Sequence, residues 1–168
     1  VNVGDSGIIF PWIGCGMCQA GKEGHETLFE ASKYLGARLN GGYSDHIIVP
    51  DSQYLVSYGD MDPAVAAPYA CSGLTAFSAL KKIPDTLSDD WIIIIGAGGV
   101  GINGILLSSA VHKAKILVID NNKEKKDKAI EAGAHAAFSP DEEEKIRNIV
   151  GIGASAAIDF VGMHENDD

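Results

Sequence analysis

The sequence has little positive charge, few cysteines and no long apolar run, and each shortage excludes a class of protein. Lysine and arginine number 13 against 23 aspartates and glutamates, so at a net charge of -10 a nucleic-acid backbone would be repelled. Three cysteines, an odd number without a secretory leader, argue against a secreted disulfide framework and favour a cytoplasmic location. No apolar segment is long enough to span a bilayer, and the 46% hydrophobic content is typical of a globular protein.

The most informative segment runs from Trp91 to Asp120 and has the pattern of a strand, a glycine turn, a helix and a second strand. Residues 91–95 include four consecutive isoleucines without polar alternation, which predicts a strand buried on both faces of a parallel sheet. The hexapeptide Gly96–Gly101, GAGGVG, follows directly. A helix to about residue 110 and a second apolar run over 115–120 complete the pattern.

The glycines of this turn have separate predicted roles. Gly96 permits the tight turn, Gly98 lets the backbone approach a pyrophosphate, and Gly101 lets the helix pack close to the strand. The pyrophosphate would lie at the helix N-terminus, where unpaired N–H groups and the helix dipole favour an anion. The candidate cofactor-binding residues of the turn are Gly96, Gly98, Gly99, Val100 and Gly101. A turn that binds no ligand is the alternative, but the flanking strand and helix agree with a nucleotide site.

Asp120 ends the second apolar run, 19 residues after Gly101. A carboxylate at this place can hold the hydroxyls of the adenosine ribose, although an acid at a strand end can also be a solvated cap. The same carboxylate would repel the 2′-phosphate of NADP, and Asn121 and Asn122 supply no arginine in its place. The sequence therefore predicts NAD as the cofactor.

Two patterns divide the chain near residue 80, because mixed strand and loop give way to regularly alternating strands and helices, as in α/β folds. The elements expected before the glycine segment are strands at 8–10 and 46–50 and helices at 62–67 and 72–82. The elements expected after it are helices at 124–132 and 141–150 and strands at 135–138 and 156–160. Right-handed crossovers then give a parallel sheet with its four strands in the order 3-2-1-4.

Seven motifs, in this order along the chain, resemble the medium-chain, zinc-type alcohol dehydrogenases. They are Val3-Gly4-Asp5, Pro11-Trp12-Ile13-Gly14-Cys15-Gly16, Gly41-Gly42-Tyr43, Ala66-Ala67-Pro68, Cys71-Ser72-Gly73-Leu74-Thr75, Gly96-Ala97-Gly98-Gly99-Val100-Gly101 and Ile158-Asp159-Phe160-Val161-Gly162. The resemblance covers nearly the whole chain. It implies a partial GroES-like catalytic domain over 1–80 and a partial Rossmann NAD-binding domain over 81–168, a doubly wound parallel sheet, with the chain incomplete at both ends.

The resemblance also implies an activity and roles for three further residues. Family members transfer hydride between an alcohol, aldehyde or ketone and NAD(P), with a zinc ion that polarises the substrate oxygen. Cys71 takes the place of a catalytic-zinc ligand; on its own it could also be a small buried hydrophobic residue. Thr75 takes a place beside the nicotinamide. Lys125 matches a lysine or arginine that contacts the adenosine ribose, with a solvated helix-face lysine as the alternative.

The structural-zinc loop of the family is reduced in this sequence. Cys15 and Cys18 match the first two of its four cysteine ligands, whereas Gly21 and Phe29 stand at the other two places. Glycine and phenylalanine have no ligating side-chain atom, and His25 is the one residue nearby that could supply a third ligand. We therefore expect zinc, a cofactor of the complete family enzyme, to bind this chain poorly.

Two hypotheses about function follow. The family's other catalytic-zinc ligands, a cysteine and a Gly-His-Glu segment, would precede Val1, and the strands that complete the substrate cleft and the dimer edge of the family's homo-oligomers would follow Asp168. The first hypothesis is an oxidoreductase of this family represented by an incomplete stretch, acting on a small alcohol or carbonyl compound. The second is a dinucleotide-binding or structural remnant without catalysis. Under either hypothesis we expect negligible activity from this chain alone and no nucleic-acid or membrane partner.

Overall fold

The computed structural model describes residues 1–14 and 33–162, and the backbone divides into two compact units between Cys71 and Ser72. The fold class is α/β, as predicted. The helix Ser72–Leu80, which the sequence pattern assigned to the first domain, groups with the second unit. It does so because it packs along the helix Gly99–Val111. The domain boundaries 1–80 and 81–168 stay a prediction.

The first unit contains a small antiparallel sheet and short helices. Its elements are β1 (Ile8–Ile9), a 3-10 helix (Ser52–Tyr54), β2 (Leu55–Val56), α1 (Pro63–Ala66) and a second 3-10 helix (Ala67–Ala70). β1 pairs with β2, with Ile8 opposite Val56. The Asp62 carboxylate caps α1 by accepting a hydrogen bond from the Ala64 N–H at 2.7 Å. Proline at the first position of α1 fits there because its missing N–H would have no partner inside the helix.

The strand predicted over residues 46–50 is not formed, so that prediction was wrong. Ile48 is 88% exposed, and the carbonyl of His46 accepts a hydrogen bond from the Ser44 hydroxyl. A strand needs a neighbouring backbone to complete its hydrogen bonds. In the described part of this unit β1 and β2 pair with each other, and neither pairs with this segment. An apolar run alone therefore did not determine a strand.

The second unit is a four-stranded parallel sheet with helices between its strands. Its elements are α2 (Ser72–Leu80), β3 (Trp91–Ile95), α3 (Gly99–Val111), β4 (Lys115–Ile119), α4 (Lys123–Glu131), β5 (Ala136–Phe138), α5 (Glu143–Val150) and β6 (Ala156–Asp159). The strand order β5-β4-β3-β6 confirms the predicted order 3-2-1-4. All four carboxyl ends therefore meet at one edge of the sheet. Within residues 1–14 and 33–162, no helix has the length and apolar character needed to cross a membrane.

The main cluster of buried residues lies on one face of this sheet. Ile92 and Ile94 are fully buried in a cluster with Ile105 of α3 and Ala129 of α4. Residues 93 and 95 of the same strand point to the opposite face and are only partly buried. The prediction that β3 is buried on both faces is thus correct for one face only. On that opposite face Leu117, the β4 partner of Ile93, is fully buried, so the second face is covered in part.

Candidate functional site

The glycine turn joins β3 to α3 at the carboxyl edge of the sheet. Gly96 has φ +89°, a conformation that side chains other than glycine rarely adopt, and a Cβ there would lie 2.7 Å from Val161 Cγ2. A Cβ on Gly101 would lie 1.9 Å from the carbonyl oxygen of Gly96. The backbones of strand and helix approach so closely that only glycine fits at position 101. These are the conformational roles expected for both glycines; their cofactor role stays a prediction.

The N-terminus of α3 is open to an anion. A Cβ built on Gly98 or Gly99 meets no atom within 4 Å, so the space beside them is open. Gly98 is the N-cap residue and has no side chain that could accept hydrogen bonds from the first N–H groups of the helix. By contrast, α4 is capped by Asn122, whose Oδ1 accepts the Lys125 N–H at 3.1 Å. Uncapped N–H groups at the positive end of a helix dipole form a site for a phosphate group.

Asp120 stands next to this turn and is bonded to it. Its carboxylate Oδ2 accepts a hydrogen bond from the Ala97 N–H at 2.8 Å, and Oδ1 accepts one from the Asn122 N–H at 2.8 Å. The residue is only 8% exposed, so it is not the solvated strand cap that the sequence left as an alternative. Because an ionised carboxylate offers roughly four acceptor positions, about two of them remain for the hydroxyls of a ligand.

Lys125 lies in the first turns of α4, beyond Asp120. Its side chain is exposed and forms no ion pair with the part of the chain that the structure describes. Its neighbours Glu124 and Lys128 are paired with each other at 2.9 Å. The hydrogen bond and the charge of Lys128 lower the pKa of the Glu124 carboxyl, while both side chains stay in water. The Lys125 ammonium is therefore accessible to a ligand at the Asp120 end of the site, as its predicted role requires.

Cys71 and Thr75 fall in different units. Cys71 ends the first unit with an exposed thiol, so the alternative reading of a small buried hydrophobic residue is wrong. Thr75 lies in α2 of the second unit and is also exposed. The zinc role of Cys71 and the nicotinamide role of Thr75 stay predictions.

The described residues do not fit a zinc site. In residues 1–14 and 33–162, no three histidine, cysteine, aspartate or glutamate side chains come close enough together to hold a metal ion. Among these described residues, Cys71 therefore has no partners for a tetrahedral zinc shell. Cys15, Cys18 and His25, the other candidate ligands, lie outside the described residues.

We expect this chain, purified and washed with a chelator, to retain less than about half an equivalent of zinc, since a stable site needs three or four protein ligands. Elemental analysis measures this directly. One or more equivalents would contradict the expectation, and a Cys15→Ser and Cys18→Ser pair would then show whether those two thiolates hold the metal.

Asn103 is a site residue that the sequence analysis missed. Its side-chain amide donates to the carbonyl of Gly99 at 2.8 Å and to the hydroxyl of Ser72 at 3.1 Å. It thereby connects the start of α3 to the start of α2. The available signal was an asparagine among the apolar residues and glycines of 99–107, where its helix propensity is poor and a tertiary contact is the usual reason.

The chain has curated relatives, although no family model matches its sequence. It is 36% identical over 159 residues to an NAD-dependent alcohol dehydrogenase of Sulfolobus acidocaldarius, an alignment that covers 94% of this chain and 46% of that protein. It is 31% identical over 171 residues to a D-arabinose 1-dehydrogenase (NADP(+)) of Saccharolobus solfataricus, covering 98% of this chain and 49% of that protein. The chain thus spans about half the length of the curated relatives it matches.

Solved structures share the fold. The crystal structure of the D-arabinose dehydrogenase from Sulfolobus solfataricus aligns with a TM-score of 0.85 and 28% identity, over 96% of this chain and 52% of that one. An acetophenone reductase from Geotrichum candidum, solved in complex with NAD, aligns with a TM-score of 0.68 and 27% identity, over 77% of this chain and 38% of that one. Sequence and fold both support the resemblance to the medium-chain, zinc-type alcohol dehydrogenases, over the half of these relatives that the chain covers.

Proposed function

We propose that the chain is the NAD-binding part of an oxidoreductase that transfers hydride between a small alcohol or carbonyl compound and the nicotinamide. One observation carries the proposal: the uncapped N-terminus of α3 and the buried Asp120 carboxylate lie at neighbouring strand ends and are joined by the bond to Ala97. A phosphate-binding helix end beside a ribose-binding acid is the arrangement of a dinucleotide site. The relative named an NAD-dependent alcohol dehydrogenase supports the same cofactor and reaction class.

The residues present fit the adenosine half of NAD. The first N–H groups of α3 would donate to the pyrophosphate, and the open space above Gly98 and Gly99 would admit it. The hydroxyls of the adenosine ribose would donate to the free acceptor positions of Asp120, with the Lys125 ammonium nearby. Bound NAD supplies the hydride acceptor. The residues of this half-site bind and orient the cofactor, and they transfer no proton themselves.

NAD should be preferred over NADP, and Asp120 tests that preference. Asp120→Ala should weaken the binding of NAD by about 1–3 kcal/mol, the usual cost of losing hydrogen bonds to a charged group. The binding of NADP should weaken less, because the repulsion between Asp120 and its 2′-phosphate is removed together with the hydrogen bonds. Calorimetric titration of both cofactors against the wild type and the variant measures the difference.

Asp90→Ala is the matched control for this experiment. The Asp90 carboxylate also accepts a backbone hydrogen bond, from the Leu87 N–H at 2.6 Å, but it precedes β3 and so lies at the opposite edge of the sheet. It should leave the affinity for both cofactors unchanged. If Asp120→Ala leaves the ratio of the affinities for NAD and NADP as in the wild type, Asp120 has only a structural role and does not select the cofactor.

Alcohol oxidation by this chain alone should be negligible. The described residues do not assemble a zinc site, so nothing in them lowers the pKa of a bound alcohol. We infer a cytoplasmic enzyme from the odd number of cysteines, which does not suit a secreted disulfide framework. Its substrate class is an alcohol or carbonyl compound. Turnover of simple alcohols with NAD and added zinc, above the background without protein, would show that Cys71 or the cysteines at 15 and 18 recruit further ligands.

A further inference from the structure

One of the contacts that hold the glycine turn comes from a charged side chain. Gly98 and Gly99 are exposed, and their Cβ positions touch nothing within 4 Å, so side-chain packing does not fix these two residues. The turn is held before them, where Ala97 packs in the buried cluster and two hydrogen bonds reach the end of β4. The Gly96 N–H donates to the carbonyl of Ile119 at 2.8 Å, and the Ala97 N–H donates to the Asp120 carboxylate at 2.8 Å.

The bond between Ala97 and Asp120 is buried. Ala97 is 4% exposed and Asp120 is 8% exposed, and the two residues are 23 positions apart in the sequence. A backbone N–H that loses its acceptor in such a place finds little water to replace it. Hydrogen bonds to a carboxylate are also stronger than those between neutral groups. The position of the turn therefore depends on the charge and the orientation of Asp120.

The carboxylate is itself oriented from the other side. The Asn122 N–H donates to Oδ1, and Asn122 caps α4, so the carboxylate lies between the start of one helix and the turn before another. The Ala97 N–H bonds Oδ2 and the Asn122 N–H bonds Oδ1, and these two hydrogen bonds together fix the plane of the carboxylate. A ribose would donate hydrogen bonds to the remaining acceptor positions of this carboxylate. The orientation of the same carboxylate also determines where the N–H groups at the start of α3, which would bind the pyrophosphate, point.

We propose that Asp120 is a positioning residue for the phosphate-binding turn, in addition to any contact with the ribose. It holds Ala97 so that the N–H groups at the start of α3 face the pyrophosphate. Ribose recognition and pyrophosphate recognition are then coupled through one side chain. A consequence is that neutralising Asp120 weakens the binding of NADP as well as that of NAD. The turn loses the hydrogen bond that positions it, even though the repulsion between Asp120 and the 2′-phosphate of NADP disappears.

The test has a part that needs no ligand. In the 168-residue chain, hydrogen exchange of the Ala97 amide should accelerate at least about tenfold in Asp120→Asn, because asparagine can offer an oxygen to only one of the two N–H groups. Asp90→Asn, which makes the same change to a carboxylate at the opposite edge of the sheet, should leave the exchange of the Ala97 amide unchanged. Thermal unfolding of each variant separates a local change from general destabilisation. Unchanged exchange at residues 96–98 in Asp120→Asn would overturn the proposal.

The second part rests on the proposed function and compares two ligands, ADP-ribose and an analogue whose adenosine ribose lacks both hydroxyls. If Asp120 positions the turn, Asp120→Asn weakens the dideoxy analogue as well as ADP-ribose, by about fivefold to tenfold in each case. If Asp120 contacts the ribose only, the substitution has no effect on the analogue, and the proposal is wrong. Failure of the wild type to bind ADP-ribose would contradict the proposed function instead, and the exchange of Ala97 would still decide the positioning role.

Discussion

Gly101→Ala should destabilise the second unit strongly, although it adds only one methyl group. The added Cβ would lie 1.9 Å from the carbonyl oxygen of Gly96, a distance that no side-chain rotation can relieve because both atoms are attached to the backbone. The helix α3 would have to move away from β3, opening the buried cluster around Ile94 and Ile105. We expect a loss of about 3 kcal/mol in the free energy of unfolding, at the upper end of overpacking costs. Urea unfolding followed by circular dichroism measures it.

Gly99→Ala is the matched control, since it adds the same methyl group to the same helix two residues earlier. Its Cβ meets nothing within 4 Å, and alanine favours helix, so we expect a change of less than about 1 kcal/mol, in the stabilising direction. Equal stabilities of the two variants would show that the strand and the helix tolerate a wider separation than the structure indicates.

Gly98→Val should abolish cofactor binding while leaving the fold intact. Gly98 has φ −76° and ψ −168°, an extended conformation that valine adopts readily, and its Cβ points into open space. That space is where the pyrophosphate would meet the backbone, so the side chain would exclude it. We expect a loss of affinity for NAD of at least about 100-fold, close to 2.7 kcal/mol. The free energy of unfolding should fall by only about 1 kcal/mol, because valine is a poorer N-cap residue than glycine.

The control for Gly98→Val is Gly42→Val, at another glycine whose Cβ would touch nothing within 4 Å, in the first unit of the chain. It should leave both NAD affinity and stability unchanged. If Gly98→Val binds NAD as tightly as the wild type does, the cofactor does not approach the turn. Gly101→Ala and Gly98→Val thus separate a glycine required by the fold from a glycine required by the ligand.

The parallel sheet could be predicted from the sequence because its signals are local. The isoleucine run, the glycine hexapeptide and the second apolar run each specify one element, and right-handed crossovers then determine the strand order. The same approach wrongly predicted a strand at residues 46–50. Whether an apolar run forms a strand depends on a neighbouring backbone as well as on its own composition, and β1 and β2 pair with each other instead. The partial exposure of Ile93 and Ile95 was also missed, because sequence periodicity does not reveal how much of a sheet face a helix covers.

The residue types of the site were predictable, but its bonds were not. Asp120 was found from its spacing after the glycine turn, whereas its bond to the Ala97 N–H spans two strand ends and requires the coordinates. The contacts of Asn103 with Gly99 and Ser72 likewise join residues whose proximity follows from helix packing. Single positions carry the chemistry of such a site, whereas its geometry comes from tertiary structure.

The central claim is that the glycine turn and Asp120 form the adenosine half of an NAD site. An NMR titration of the isotopically labelled 168-residue chain with NAD tests it most directly, because each backbone amide reports separately. We predict saturable shifts that are largest at the amides of Gly98, Gly99, Val100 and Gly101, with smaller shifts at Asp120 and Asn122. Saturation without shifts at the start of α3, or no shifts at millimolar NAD, would contradict the claim.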